Sequence, residues 1–442
     1  MGGLSLKDKA FFMRHNEKLS YNVRNKSIIN NSYSGIFGEF INKDGNVPKY
    51  SVVDLDGTDS KIIIEKISID IDYRNTKVYA ILAYPKKSGI YPGRLVLHGG
   101  GLNADSMFNY VRSYALDGYV AIAPDLPGIV SEEYAKGSNC EGDWTVDYDY
   151  LGCMFKSEIV DDAKKSSLYY AIMTALKTFH LLQDNEKVDI NNIGVSGISW
   201  GGYMTTMLCG ILGNQIKAAY AYYGTGHYKD GYFWSNGNYG YNAMDKKTEA
   251  VWIANYEAGN VAKYITCPFF EAAATNDDYF SPEMTQKTLS DMHGEINLLY
   301  SPNTKHAIKT LGTVGFASGS SEEEWFAYYL KNVGREMPKL LFKDIKVEEN
   351  NCFISFNVPE SSYKINFEAY YSFTSEGNWR DRDWKTIDGR SMILANDSLI
   401  LKIALKEISD DMDIFISYTN NEKTYTVSSF VNRFEKHTSD SV

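Results

Sequence analysis

The stretch Ile193-Gly-Val-Ser-Gly-Ile-Ser-Trp-Gly-Gly-Tyr203 places Ser199 two residues after Gly197 and two before Gly201, at the end of an apolar, strand-like run. A strand that turns sharply into a helix leaves room beside such a serine only for glycine, and the tight turn pushes the hydroxyl outward for attack. The helix formers between Tyr203 and Leu212, among them Met204, Met207 and Leu208, supply the element that must follow. A second glycine cluster, His98-Gly-Gly-Gly101, ends the short apolar run that begins at Arg94. Backbone without side chains can approach a substrate there. The amides of Gly100 and Trp200, with that of Gly101 as a further candidate, would donate to an oxygen that becomes negative during acyl transfer.

Serine nucleophiles also need a base and an acid. Two later apolar runs open into suitable loops: Cys267 to Ala274 leads into Thr275-Asn-Asp-Asp278, and Glu295 to Ser301 leads into Pro302-Asn-Thr-Lys-His306. His306 is the predicted base, taking the Ser199 proton and returning it to the leaving group, while Asp277 or its neighbour Asp278 would hold the imidazole tautomer. Ser196 has Ile198 where a glycine is required and is read as structural. Of the other histidines, His227 ranks second as base because it follows the strand-like run Ala218 to Tyr223. His180 falls on a helix as a satisfied surface residue, and His98 is read as a packing residue.

With Ser199, the His98 to Gly101 loop, Asp277 and His306 in this order, the chain resembles the α/β-hydrolase superfamily, and within it the acetyl xylan esterase and prolyl-oligopeptidase-like esterases. Ala121-Ile-Ala-Pro-Asp-Leu-Pro-Gly128 is similar to that family's fourth strand and the turn beyond it, and the likeness runs from Lys61 to Val333. The resemblance implies Asp277, the first of the pair, as the acid. Esterases of the cephalosporin-C deacetylase and acetyl xylan type carry glutamine after the nucleophile; this chain has Trp200, predicted to set an indole beside the serine and to restrict the space there. A fainter likeness, in Ser301 to His306 and in Asn378-Trp-Arg-Asp-Arg-Asp-Trp384, is to the PhoPQ-regulated hydrolase-like proteins, which also have a β-rich tail.

The implied activity is that of a serine carboxylic-ester hydrolase working through an acyl-serine intermediate, removing short acyl groups such as acetate from a carbohydrate or another small molecule. Two alternatives remain at this level: a prolyl-oligopeptidase-like serine peptidase, and an idle hydrolase scaffold that binds carbohydrate.

Composition bounds the rest. The 442 residues are 44% hydrophobic and 23% charged, as in globular proteins with one large core and a smaller second domain. A formal charge of −11 without a lysine or arginine cluster argues against nucleic acid or an anionic membrane as partner. No apolar run is long enough to span a membrane, and Met1 to Ala10 carries no signal-like stretch. Five cysteines without C-x-x-C spacing suit a reducing cytoplasm and free thiols, although Cys140 and Cys153 could pair across a loop. Neither metal nor cofactor is expected, since no H-E-x-x-H, phosphate loop, dinucleotide fingerprint or Cys/His cluster occurs. The expected partner is a small-molecule ester.

Presenting these loops together requires a sheet. The apolar runs Lys61 to Asp72, Lys77 to Tyr84, Arg94 to Leu97, Val120 to Ala123, Ile193 to Gly197, Ala218 to Tyr223, Phe269 to Ala274 and Ile296 to Tyr300 predict eight strands. Helical periodicity between them, as in Leu168, Ile172, Ala175, Leu176 and Phe179, predicts right-handed crossovers. The expected class is α/β, an α/β-hydrolase fold with an eight-stranded, mostly parallel sheet and helices on both faces, followed by a small C-terminal β-sandwich. Residues 1–60 read as an extension anchored by Phe11, Phe12, Met13, Ile36, Phe37 and Phe40, residues 61–336 as the catalytic domain, and residues 340–442 as the sandwich. The insertion 224–265, dense in tyrosine and tryptophan, is either a lid over the site or a self-packed cap. Gly101, Tyr223 and Trp234 are predicted to contact substrate, and the loop from Val130 to Ser157, with Trp144, Tyr148 and Tyr150, to form a second pocket wall. Trp379 and Trp384 read as core or domain interface, with a carbohydrate platform as the lesser alternative.

Overall fold

A computed structural model describes residues 11–14, 33, 35–73, 76–129, 138, 157–236, 240–309, 320–360 and 362–437. In chain order its first ten strands are β1 (Phe11–Arg14), β2 (Lys49–Asp56), β3 (Ile62–Asp70), β4 (Lys77–Pro85), β5 (Tyr91–Leu97), β6 (Val120–Pro124), β7 (Val188–Ile198), β8 (Ala218–Tyr222), β9 (Phe269–Ala274) and β10 (Ile296–Ser301). Nine of these form one sheet in the order β10-β9-β8-β7-β5-β6-β4-β3-β2. Tight connections make β2, β3 and β4 antiparallel. From β6 across to β10 every pairing is parallel, because crossovers containing α1 (Phe108–Leu116), α2 (Ser167–Asp184) and α3 (Trp200–Leu212) return the chain to the same end. The loops after β5, β7, β9 and β10 therefore gather at one edge.

The expected eight strands are present, and a ninth joins them from residues assigned to the extension. All of β2 is exposed, including the side chains of Tyr50, Val52, Val53 and Leu55. An edge strand with no buried face carries no alternation of polarity to mark it.

In α2 the residues from Ser167 to Gln183 are all buried. This corrects the surface placement of His180, which is fully buried, with Nδ1 2.8 Å from Gln183 Oε1 and Nε2 2.7 Å from the Phe40 carbonyl. The reason lies in the N-terminal segment, whose Phe37 and Phe40 cover the helix, the Phe37 ring stacking 5.4 Å from Tyr169. A helix roofed by another segment loses its solvent face, which periodicity within the helix cannot reveal.

Beyond the helix Ser320–Lys331 the chain forms two antiparallel sheets. One has four strands, Leu341–Glu348, Asn351–Asn357, Met392–Ala395 and Ser398–Ala404; the other has six, among them Met412–Thr419, Thr426–Ser428 and Asn432–His437. The sixth member is β1, which pairs with Asn432–His437 and so carries the N-terminal segment into the C-terminal sheet. Edge strand β10 is covered by this unit: the Tyr300 amide donates to Ser428 Oγ at 2.9 Å, and the Tyr300 ring lies 5.3 Å from Phe415.

The insertion folds into short helical turns plus the helix Lys246–Tyr256. Its Tyr228, Trp234, Trp252 and Tyr256 are buried, with Tyr228 4.9 Å from Trp234 and 5.3 Å from Trp252. These rings also pack outside the insertion, Tyr228 lying 6.0 Å from Trp200 and Tyr256 6.2 Å from Phe37, and among the described residues of the insertion Tyr232 is an exposed ring. The expected pocket wall with Trp144, Tyr148 and Tyr150 lies outside the described residues, as do Cys140 and Cys153. Among the described residues no helix is long and apolar enough to cross a membrane.

Candidate active site

Strand β7 delivers Ser199 into α3 through a turn with Ser199 at φ 56° and ψ −116°. A left-handed φ on a non-glycine residue costs about 1–3 kcal/mol, so the surroundings must hold it. They do so through two main-chain bonds, Ser199 N–H to the Tyr222 carbonyl and Tyr203 N–H to the Ser199 carbonyl, both 2.9 Å. The flanking glycines are sterically required: a Cβ on Gly201 would stand 2.1 Å from the Leu97 carbonyl oxygen, and one on Gly197 2.2 Å from that of Gly201. Ser196, by contrast, is fully buried and accepts from Arg94 at 3.2 Å.

The three residues expected to act together are in contact. The Ser199 hydroxyl donates to His306 Nε2 at 2.8 Å, and His306 Nδ1 donates to Asp277 Oδ2 at 2.8 Å. Asp277 is buried and its other oxygen accepts the amides of Tyr279 at 2.8 Å and Phe280 at 3.0 Å. A carboxylate held by two amides is an anchored partner for the imidazole, which fixes the Nδ1–H tautomer and leaves Nε2 to accept from serine. The alternative acid, Asp278, turns away to Arg380 at 3.8 Å. His227 is also elsewhere, with Nε2 3.0 Å from Asp291 at the base of the cap.

Around the imidazole stand Tyr223 at 4.3 Å, Tyr279 at 5.0 Å and Phe280 at 6.0 Å, measured between ring centres. Tyr223, one of the expected substrate contacts, is thus placed against His306, and burial raises its phenol above the usual range. Trp234 requires correction. It is 1% exposed and its indole N–H donates to the Tyr279 carbonyl at 2.7 Å, so it supports the wall from behind instead of facing substrate. Trp200 is likewise buried in the cap packing. Its indole lies 5.2 Å from Tyr203, 6.0 Å from Tyr228 and 5.6 Å from Trp234, filling the seam between α3 and the cap.

The loop after β5 abuts the serine, since a Cβ on Gly99 would lie 3.3 Å from that of Ser199. No hydrogen bond among the described residues takes the amide of Gly100 or of Trp200, the latter being the first residue of α3 with no earlier turn to bond to. The Gly101 amide, offered as a further donor, is occupied by the Ile129 carbonyl at 2.8 Å, and Gly101 turns the loop at φ 73°. The oxyanion-donor role offered to Gly101 is corrected accordingly.

His98 anchors this loop. It is fully buried, its Nδ1 donates to the Gly99 carbonyl at 2.8 Å and its Nε2 accepts the Leu126 amide at 2.9 Å. Burial pushes its pKa down to about 4, keeping the ring neutral in this bonding role. Next to it Asp125 accepts the Ala104 amide at 2.8 Å and the Ser138 hydroxyl at 2.6 Å, tying the turn after the glycines to the end of β6.

Burial raises Asp125 from 3.8 to about 6. A carboxyl raised on folding loses stability as the pH climbs from its unfolded to its folded value, so the cost is absent below about pH 4, grows between pH 4 and pH 6 and is fully present above pH 6. Asp125→Asn keeps an acceptor for Ala104 without the charge. Its stability relative to the unaltered chain should rise by about 3 kcal/mol between pH 4 and pH 7 in urea unfolding; a pH-independent difference would refute this.

Sequence reasoning missed Glu271. It lies on β9, fully buried, and accepts the Gly224 amide at 3.1 Å, bracing the turn that follows β8 beside Ser199 and His306. Burial raises its carboxyl well above the usual range, with Asp277 adding to the effect. A single charged residue inside Phe269-Phe-Glu-Ala-Ala-Ala274 was the available signal. Among the described residues no group of three His, Cys, Asp or Glu side chains is arranged to hold a metal ion.

Comparison with known proteins adds a family. The dienelactone hydrolase family matches residues 78–327. The solved structures that resemble this one include acetyl xylan esterase 1 from Thermoanaerobacterium sp. JW/SL YS485, at 15% identity over 63% of this chain and 87% of that one, with a TM-score of 0.49. Acetyl xylan esterase from Paenibacillus sp. R4 is similar at 18% identity, 61% and 86% coverage and a TM-score of 0.47. An S-formylglutathione hydrolase from Agrobacterium tumefaciens gives 14%, 63% and 99%, and 0.48. No curated protein sequence matches the chain.

Proposed function

The chain belongs to the dienelactone hydrolase family of the α/β-hydrolase superfamily, and within it we propose that it is a serine ester hydrolase that removes short acyl groups, such as acetate, from a carbohydrate or another small alcohol. The observation that carries this reading is His306 bridging Ser199 and Asp277 with both contacts at 2.8 Å. In the first half-reaction His306 Nε2 takes the Ser199 proton as the oxygen attacks the ester carbonyl. Asp277 stabilises the imidazolium that forms, and the Gly100 and Trp200 amides donate to the carbonyl oxygen as it becomes negative. Collapse of this intermediate expels the alcohol, which receives the proton from His306. Water activated by the same imidazole then attacks acyl-Ser199 and releases the acid.

A short acyl group is favoured by the packing behind the serine. Trp200, the residue after the nucleophile, packs with Tyr228 and Trp234, and the three are 4%, 0% and 1% exposed, a tightly filled neighbourhood that supports a small acyl group. The leaving alcohol faces a different boundary, where Tyr279 adjoins His306 and Phe233, and Arg380 lies over Tyr232. Aromatic faces beside a guanidinium suit a hydroxylated leaving group.

A fluorophosphonate probe should label Ser199, and p-nitrophenyl acetate should turn over faster than the octanoate, by at least about tenfold in kcat/KM. Faster octanoate hydrolysis would overturn the acyl preference, and labelling elsewhere would overturn the nucleophile. Cleavage of a dipeptidyl anilide without ester turnover would instead favour a peptidase.

A further inference from the structure

The loops that carry Asp277 and His306 share a partner outside the nine-stranded sheet. Beside Asp277, the buried side chain of Asn276 donates from Nδ2 to the Arg382 carbonyl at 2.6 Å and to the Arg380 carbonyl at 3.4 Å. On the other loop, Asn303 donates from Nδ2 to the Trp384 carbonyl and accepts the Trp384 amide at Oδ1, both at 2.8 Å. A side-chain amide that pairs with both main-chain groups of one residue fixes distance and orientation together. The loops are also bonded to each other, Asn276 N–H to the Thr304 carbonyl at 3.0 Å and Asn303 N–H to Thr275 Oγ1 at 2.9 Å.

The segment they grip is itself immobilised from within the C-terminal sheets. Arg382 and Arg433 both engage the buried Asp413, and the Arg382 guanidinium lies 4.3 Å over the Trp379 ring. Trp384 is 2% exposed and packs 5.1 Å from Phe415 on the strand Met412–Thr419. With Trp379 stacked on Trp384 and covered by Arg382, this tryptophan pair is a wedge between sheets and loops, not a carbohydrate platform.

We propose that Asn276 and Asn303 are positioning residues through which the Asn378–Trp384 segment sets the placement of Asp277 and His306 against Ser199. The proposal rests on reading those three residues as a triad. Both loops lie at the end of β9 and β10, the last two strands on that side of the sheet. Proton transfer from serine tolerates little displacement: a misplacement of about 1 Å costs on the order of 100-fold in rate.

The test uses the full chain. Asn303→Gly deletes both side-chain bonds while suiting the left-handed backbone at φ 52°. Asn303→Asp keeps only the acceptor for the Trp384 amide, and Asn276→Ala removes the other link. For p-nitrophenyl acetate, kcat should fall about 10- to 100-fold in Asn303→Gly and Asn276→Ala, with KM within about twofold and Asn303→Asp intermediate. Fluorophosphonate labelling should slow in parallel at a temperature where circular dichroism shows every variant folded. Should Asn276→Ala not fold, the Asn303 pair decides. An unchanged kcat in Asn303→Gly, or a loss confined to KM, overturns the proposal. Ser199→Ala in the same assay separates the two levels: turnover that survives it removes the triad reading and this inference with it. Loss in Ser199→Ala beside a normal Asn303→Gly removes this inference alone.

Discussion

Replacing Ser199 with alanine should lower kcat toward esters by about 10⁴- to 10⁶-fold, because no second hydroxyl occupies the position 2.8 Å from His306 Nε2. The expected signature is specific. Fluorophosphonate labelling disappears, while the unfolding midpoint stays close to that of the unaltered chain, since serine and alanine occupy nearly the same volume. Asp277→Asn should show a loss of similar order, about 10⁴-fold, because an amide facing Nδ1 favours the wrong imidazole tautomer. Ser199→Gly offers a control on the turn itself: glycine accepts φ 56° without a Cβ clash, so this variant should be inactive yet more stable by about 1 kcal/mol. Activity in Ser199→Ala above one-hundredth of the original would mean that Ser199 is not the nucleophile, and a Ser199→Gly variant clearly less stable would mean that the elbow is not strained.

The largest effect on stability should come from the other face of the sheet. Arg94 on β5 and Glu322 on the helix Ser320–Lys331 form an ion pair in which the side chains are 1% and 2% exposed. Two tyrosines complete it, Tyr114 and Tyr222 donating to Glu322 Oε2 at 3.0 and 3.1 Å, and the Arg94 guanidinium is covered by the Tyr114 ring at 3.5 Å and the Phe326 ring at 4.0 Å. Taking Glu322 away leaves a buried cation without its counter-ion and removes an acceptor from two phenols, and such losses cost about 3–5 kcal/mol. Glu322→Ala should therefore reduce the unfolding free energy in urea by that amount. The double variant Arg94→Met with Glu322→Leu should recover much of it, because paired removal leaves no orphaned charge. A loss below about 1 kcal/mol in Glu322→Ala would show that water reaches the pair.

The structure-only findings cluster where one segment covers another. His180 reads as a surface residue in its own helix, yet Phe40 supplies the carbonyl that its Nε2 bonds. Trp200 reads as an obstruction beside the serine, yet in the structure the cap supplies Tyr228 and Trp234 as its neighbours. Strand β2 is invisible to patterning because neither of its faces is buried. Glu271 and Asn303 look ordinary in sequence, since their partners Gly224 and Trp384 lie far along the chain.

What was legible in the chain was local: the steric demand of the Ser199 turn for Gly197 and Gly201, the apolar runs of the central strands, and the helical stripe through Leu168, Ile172 and Phe179. These are short-range constraints written in neighbouring residues, and they carry the fold class, Ser199 and His306, while the choice of Asp277 over Asp278 rests on the family resemblance. Which amides stay free for an oxyanion, which aromatic faces open space and which backs it, and what steadies the acid and base loops depend on contacts between segments tens to hundreds of residues apart. Gly101 shows the distinction within one motif: its type suits a donor, but the Ile129 carbonyl already holds its hydrogen. Long-range packing assigns each polar group its partner, and no periodicity along the chain encodes that assignment.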